Sequence, residues 1–437
     1  MAATTTHAET TQSTLLVIGY VWPEPGSSAA GSRMMQLIQA FQADGYRVVF
    51  ASPAEESTHA VALEQYQIEA HRILLNCSSF NDWVNTLQPD VVMFDRFMME
   101  EQFGWRVEQS CPKAIRVLDM EDVHSLREAR WKAVKQRVEA ASLSLPALTD
   151  ELAFSTLAIR EVASIWRCDL TLVISEAEMQ WLQDRYQLPA SLLSYTPFML
   201  SHTSFMKAPT ERENEQRIVP GFAERQHFVS IGNFRHAPNW DAVRLLKEQV
   251  WPAIRKRMPD AELHIYGGYP PKKATDLHNP KQGFLVKGWA DDAQAVVRNA
   301  RVMLAPLRFG AGLKGKLIDA AQCGTPAVTT PVGAEGMYSH ATQAAVVCDT
   351  TADFIEQAVR LYQGETDWQL LSEAGQRLVP ERFGIEPHRQ ALQARVAAIR
   401  NNPAEHRQAH FYGLMLRHHS MKSTQYMSQW IEAKQGQ

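Results

Sequence analysis

The run Phe309-Gly310-Ala311-Gly312-Leu313-Lys314-Gly315-Lys316-Leu317-Ile318-Asp319 places three glycines, two lysines and a carboxylate between an apolar stretch, Arg301 to Leu307, and a helix-like stretch that stops at Gly324. Strand, loop and helix follow from that pattern. Such a turn suits anion binding. The first amides of a helix lack partners and carry partial positive charge, glycines let a ligand approach the backbone, and lysines add full charges. Gly310, four intervening residues and Gly315-Lys316 nearly spell a Walker A loop, but Leu317 stands where a hydroxyl should hold magnesium. A plain glycine-rich turn with solvated lysines is the third reading.

A second polar run, Asp119 to Arg130, follows the apolar stretch Lys113 to Leu118, so its side chains sit at the end of a strand. His124 is a candidate for hydrogen bonding or proton transfer there, with Asp119 or Asp122 orienting its ring. The same carboxylates could instead coordinate a hard cation, or stand at a helix start and pair with its macrodipole. The small-residue loop Gly26-Ser27-Ser28-Ala29-Ala30-Gly31-Ser32 leads into Arg33, which could meet phosphate or acceptor charge. Glu176 and Glu178 follow Ser175 and read as helix capping. His418 and His419 are adjacent, point about 100° apart on a helix and lack other evident ligands, so they read as surface residues.

Alternating strands and helices must position these groups. Leu15 to Tyr20, a helix from Ser32 to Ala43 ending at Gly45, and Arg47 to Ala51 form a strand–helix–strand unit. Further strands are expected at 90–94, 113–118 and 170–174, with one long charged helical region from Val123 to Trp166 between the last two. A second series places strands at 227–231, 262–266, 284–288, 301–307, 326–330 and 344–348. Its helices fall at 241–250, 293–300, 315–323 and 351–363. The chain of 437 residues divides into a loose tail 1–13, an α/β domain 14–200, a polar linker 201–225, a second α/β domain 226–385, and C-terminal helices 386–437 packing on the body. In the last segment, Met421, Tyr426, Met427, Trp430 and Ile431 recur at helical spacing.

Bulk properties narrow the class. With 44 basic and 48 acidic residues, no basic field advertises nucleic acid. Cys77, Cys111, Cys168, Cys323 and Cys348 are scattered, which argues for reduced thiols, a cytoplasmic location and no zinc site. The first thirteen residues lack a signal-peptide pattern, and no run reaches the roughly 18 apolar residues of a membrane span.

Ser230-Ile231-Gly232-Asn233-Phe234, Pro238 to Val243, Trp251-Pro252, Pro259 to Leu263, Val286-Lys287-Gly288-Trp289, Gly312 to Lys316, Gly324 to Thr330 and Gly333-Ala334-Glu335-Gly336 follow one another in a familiar order. Over about 227–345 the chain resembles the donor domain of bacterial GT-B glycosyltransferases, the retaining family four (glycosyl transferases group 1). Over the N-terminal half the likeness is looser. The resemblance implies the GT-B architecture, two doubly wound Rossmann-like α/β domains facing across a cleft. It also implies transfer of a sugar from a nucleotide diphosphate sugar to a glycan or lipid-linked acceptor, usually with retention and without a metal or other cofactor.

On that resemblance, Lys314 and Lys316 contact the diphosphate, and Asp319 takes the place of the second glutamate of the family's Glu-x7-Glu pattern, which holds the ribose. Ala311 replaces the first glutamate, so a contact to the donor sugar is either missing or supplied elsewhere, as by the amides of Ala311 and Gly312. Gly232, Arg235 and Glu335 complete the donor set; no lysine follows Arg235 at the family's interval. His124 and Asp122 are the catalytic candidates, and Ser28, Arg33 and Asp119 the acceptor candidates. A lipid-linked acceptor would bring the protein to the inner membrane surface as a peripheral visitor. A P-loop-like nucleoside triphosphatase or kinase, and a catalytically silent nucleotide-sugar binder, are the alternatives.

Overall fold

The computed structural model describes residues 12–136, 141–200, 219–338, 343–419 and 421–435. Two parallel sheets carry the architecture. The first contains β1 (Thr14–Ile18), β2 (Arg47–Ser52), β3 (Ile68–Arg72), β4 (Val91–Asp95), β5 (Ile115–Asp119), β6 (Leu170–Val173) and β7 (Leu193–Tyr195), in the order β3-β2-β1-β4-β5-β6-β7. The second contains β8 (Gln226–Ile231), β9 (Leu263–Tyr266), β10 (Phe284–Gly288), β11 (Ala300–Ala305), β12 (Ala327–Thr329) and β13 (Ala345–Val347), in the order β10-β9-β8-β11-β12-β13. Strands β1, β4 and β5 are buried at every position, as strands covered by helices on both faces must be.

In each sheet the chain order reverses at one point, between β1 and β4 and between β8 and β11. Loops leaving neighbouring strands there diverge to opposite faces and open a crevice at the strands' carboxyl ends. The helices used below are α1 (Ala29–Ala43), α2 (Phe97–Ser110), α3 (His124–Gln136), α4 (Thr156–Arg167), α5 (Glu176–Tyr186), α6 (Gly315–Gln322), α7 (Ile385–Asn401), α8 (Phe411–His419) and α9 (Met421–Gln435). Helix α7 returns to the first domain, where Leu392, Val396 and Ile399 join the core around Leu37, Phe41 and Val48.

Four expectations need correction. The charged region 123–166 is not one helix: α3 ends at Gln136, and α4 begins only at Thr156. Between them Leu143 is buried among Phe228, Leu304 and Phe354 of the second domain, and its amide donates to the Asp349 carbonyl at 2.7 Å. The segment 141–155 carries only two charges, Asp150 and Glu151, beside Leu143, Leu145, Leu148, Leu152 and Phe154, and Pro146 is the local signal that one helix could not run through it. Strands β3 and β7 were not expected; β3 reads Ile-Glu-Ala-His-Arg and lies at the sheet edge with little burial, so it lacks the apolar signature.

The proposed linker 201–225 falls largely outside the described residues, but its last residue is structural. Arg225 is fully buried and donates to Thr325 Oγ1 at 2.5 Å and to the Cys323 carbonyl at 2.7 Å. Most of the tail 1–13 also lies outside the described residues. Among the C-terminal helices, α8 lies against α4 and α9 against α2 of the first domain, and Tyr426, Met427 and Trp430 are exposed rather than turned to the body.

Candidate active site

Both switch points open into one cleft of about 1320 Å³ between the sheets. On its C-terminal wall, the loop after β11 carries the glycines and lysines singled out from the sequence, and Gly310 and Gly312 take φ of 156° and 65°. Facing them, Ser28 caps α1, its Oγ accepting from the Gly31 amide at 3.0 Å. The two helix starts meet. A Cβ on Gly315 would lie 2.6 Å from Ala29 Cβ, and one on Gly312 would lie 2.9 Å from Asp122 Cβ. Amide ends of α1 and α6 therefore converge on the same space, which favours negative charge.

Gly232, at the end of β8, leaves room for Lys316: an added Cβ there would lie 2.9 Å from its Nζ. Lys316 donates to Asn239 Oδ1 at 2.8 Å, and burial pulls its pKa down to about 8 despite nearby Asp319. Asp319, one turn along α6, is pushed up to about 7 by the same burial, with Lys316 opposing. Arg235 lies 3.6 Å over the Tyr269 ring and lines the cleft. Lys314 is buried and donates to the carbonyls of Ala311 and Gly312 at 2.9 and 2.6 Å, so in this conformation it shapes the loop.

The N-terminal wall is acidic. His124 lines the cleft at the start of α3, its ring edge-on to Phe97 with centroids 5.7 Å apart. Its Nδ1 is 3.0 Å from the Asp122 carbonyl oxygen, which can only accept, so Nδ1 carries a proton there. Asp122 pairs with Arg127; burial opposes ionisation, but Arg127 and His124 hold its carboxyl well below the usual range. Asp122 is thus a fixed charge beside the imidazole.

Several candidates sit elsewhere than expected. Arg33 and Asp119 are completely buried, pair with each other beneath the cleft and do not line it; Arg33 also donates to the Thr196 carbonyl at 2.8 Å. Helix α1 turns Arg33 inward beside Met34 and Leu37, so neither group is presented to an acceptor. Glu335 is committed to Arg130 by two bonds of 2.6 Å and is not among the lining residues. Ser28 lines the cleft, although its hydroxyl is spent on the cap. The Gly312 amide, expected to face the donor, donates to Glu178 Oε1 at 2.8 Å. Ala311 lines the cleft and also packs against the core of the first domain, where a glutamate would have to be partly desolvated.

Two carboxylates, Glu161 and Asp95, escaped the sequence reading, and a third, Glu178, does more than the helix capping expected of it. Glu178, on α5, accepts from the amides of Val123 at 2.7 Å and Gly312, so it joins the domains as well as capping α3. Burial and the neighbouring Asp122 push its pKa up to about 8. Glu161 accepts from the amides of His124 and Ser125 at 2.7 and 2.8 Å. Its signal was a carboxylate on the apolar face of α4 shared with Ala158 and Ile165. Asp95 closes the otherwise apolar strand β4 and accepts from the Tyr20 amide at 3.0 Å.

Asp95, Asp119 and Glu121 bring carboxylate oxygens within 4.8 Å of one another. Arg33 pairs with Asp119, and Arg96 Nε lies 3.6 Å from Asp95, so guanidinium groups already occupy the cationic role. Burial first, then Asp119, push Glu121 up to about 8, leaving it a neutral hydrogen-bonding acid near neutrality. Arg96 and Glu121 both hold positive φ, 72° and 61°, a conformation non-glycine residues adopt at some cost.

Residues 225–364 match the family described as glycosyl transferases group 1. No curated protein matches the chain. Among solved structures, Anabaena Alr3699/HepE in complex with UDP and glucose superposes with a TM-score of 0.62 at 13% identity, covering 88% of this chain and 99% of that one. A glycosyltransferase from Rickettsia africae gives 0.63 at 10% identity, covering 90% and 100%. Sucrose-phosphate synthase from Thermosynechococcus elongatus gives 0.61 at 15%, covering 89% and 99%. Over residues 225–364 the chain is similar to glycosyl transferases group 1, and as a whole it has the GT-B fold, with two Rossmann-like domains facing across a cleft.

Proposed function

We propose that the protein transfers a sugar from a nucleoside diphosphate sugar, held on the C-terminal wall, to a hydroxyl of a glycan or lipid-linked acceptor on the N-terminal wall. The observation that carries this reading is the meeting of the α1 and α6 starts at Gly315 and Ala29, beside Lys316. A departing diphosphate gains negative charge, and amides fixed in advance stabilise that charge without reorganising. Lys316 supplies one cation, Arg235 a second at the mouth, and Asp319 a carboxylate for the donor's hydroxyls. His124 meets the reacting sugar, with Asp122 orienting it. Charge stabilisation by these groups makes the reaction metal-independent, and retention is the outcome expected from the family likeness. On this reading the enzyme works in cell-envelope glycan synthesis on the cytoplasmic side.

The triphosphatase reading loses support from Leu317, which is buried in the core of the second domain at the position a magnesium-binding hydroxyl would need. A thermal-shift screen of UDP-, GDP-, ADP- and CMP-sugars tests the proposal, because a ligand bound only by the native state raises apparent stability. One class of nucleoside diphosphate sugar should raise Tm in the presence of EDTA and release its nucleoside diphosphate on incubation with acceptor extracts, with the monophosphate CMP-sugars as the negative control. ATP hydrolysis with strict magnesium dependence, or stabilisation by no nucleotide sugar, would contradict it.

A further inference from the structure

Helix α9 is built inside out. Its polar side faces the protein: Ser428 is buried, with its Oγ donating to Asn76 Oδ1 at 2.8 Å, and Glu432 Oε1 accepts from the Ser78 amide at 2.8 Å and hydroxyl at 2.5 Å. Its aromatic side faces away, with Tyr426 63%, Met427 56% and Trp430 55% exposed. Lys422, Tyr426, Trp430 and Lys434 recur every fourth residue along that outer side, and Lys434 Nζ lies 3.9 Å over the Trp430 ring. A surface helix of a soluble domain does the reverse, burying its apolar stripe and showing its polar one. The adjoining loop adds Leu74 and Leu75, 54% and 48% exposed.

We propose that this face of α9 docks on the surface of an anionic lipid bilayer. Tryptophan and tyrosine are the residues that settle at the headgroup level, where an apolar ring and a polar edge are both satisfied. Lysines at the two ends of the stripe supply charge complementary to anionic headgroups. The helix would lie in the interfacial plane, since no helix among the described residues is long and apolar enough to cross a membrane.

The position fits the enzyme's need. Leu75 and Thr424 share a small groove with Met98, and Met98 also lines the main cleft beside Phe97. A lipid-linked acceptor leaving the docked surface would reach the acidic wall along that groove. This route rests on the glycosyl-transfer reading; the docking itself does not.

Flotation of the full chain with vesicles of equal parts phosphatidylcholine and phosphatidylglycerol tests the docking, with pure phosphatidylcholine vesicles as the comparison. The wild-type protein should float with the anionic vesicles, less so at high salt. The double variant Tyr426→Ser, Trp430→Ser should lose about tenfold or more in partitioning. Lys422→Gln with Lys434→Gln should lose roughly an order of magnitude on anionic vesicles only. These substitutions lie on the outward side, so the Tm and its nucleotide-sugar shift should stay at wild-type values, which separates failure of docking from failure of the donor site. Wild-type protein that does not float, or an aromatic variant that floats equally well, would overturn the proposal. A dimer dissolved by the aromatic variant would assign the face to a second copy and overturn it too.

Discussion

Across the cleft, one wall offers cations and helix amides while the other offers carboxyl groups that burial keeps protonated or pairs with arginine. Lys316, Arg235 and the start of α6 stand on the C-terminal side; Asp95, Glu121 and Asp122 stand on the N-terminal side around His124. The difference assigns roles. A diphosphate is favoured beside the first wall and the start of α1 and disfavoured against the carboxyl groups around His124, whereas neutral hydroxyl groups of a sugar find donors and acceptors among those groups without displacing a charge.

The largest expected effect tests whether the walls are separable. His124→Ala should lower kcat by about 10²- to 10³-fold, within the range for a positioned acid–base group, and leave nucleotide affinity unchanged. The backbone bonds from α3 to Glu161 do not depend on the ring, so its melting temperature should hold. Kinetics together with nucleotide titration check this; equal losses in both would merge the walls into one site.

Lys316→Met should cost about 2–3 kcal/mol of nucleoside diphosphate affinity, the loss of one desolvated charge contact, read by calorimetry. Because burial sets the Lys316 pKa near 8, its charge is present below that pH and lost above it. Wild-type affinity for a nucleoside diphosphate should therefore fall as pH rises through 8, and Lys316→Met should flatten that fall.

Glu178 tests the junction between the walls. Glu178→Ala leaves the amides of Gly312 and Val123 without their acceptor and should destabilise by about 1–3 kcal/mol in chemical denaturation. A second test concerns its proton. A glutamate that titrates at 4.5 when unfolded and near 8 when folded keeps a proton that the unfolded chain releases. Stability contributed by this group falls as pH rises from 4.5 to 8 and then levels off. Glu178→Gln should make that part of the pH slope shallower.

The same contrast explains what could be read in advance. The C-terminal wall is largely local: Gly310 to Asp319 is one loop and helix start, and glycine spacing betrays a backbone that must come close to something. Apolar strand runs and glycine stops marked most of both sheets. The N-terminal wall is assembled from residues far apart in sequence. Arg33 meets Asp119 across 86 positions, and Glu178 meets Gly312 across 134. Nothing local distinguishes an arginine turned inward from one facing solvent, and Glu178 looks like any acid near a helix start. Glu161 and Asp95 carried a weak signal, a carboxylate on an apolar face or closing an apolar strand. The outward aromatics of α9 misled for the opposite reason, since helical spacing shows that a face exists but not which way it points.

Calorimetric titration of the wild-type protein and Lys316→Met with UDP, GDP and ADP in EDTA at pH 7 tests the central claim most directly. One nucleoside diphosphate should bind wild-type protein at one site per chain, with affinity falling by roughly two orders of magnitude in the variant. Absence of binding by all three, or equal affinity for both proteins, would contradict the account of a donor diphosphate held between the starts of α1 and α6.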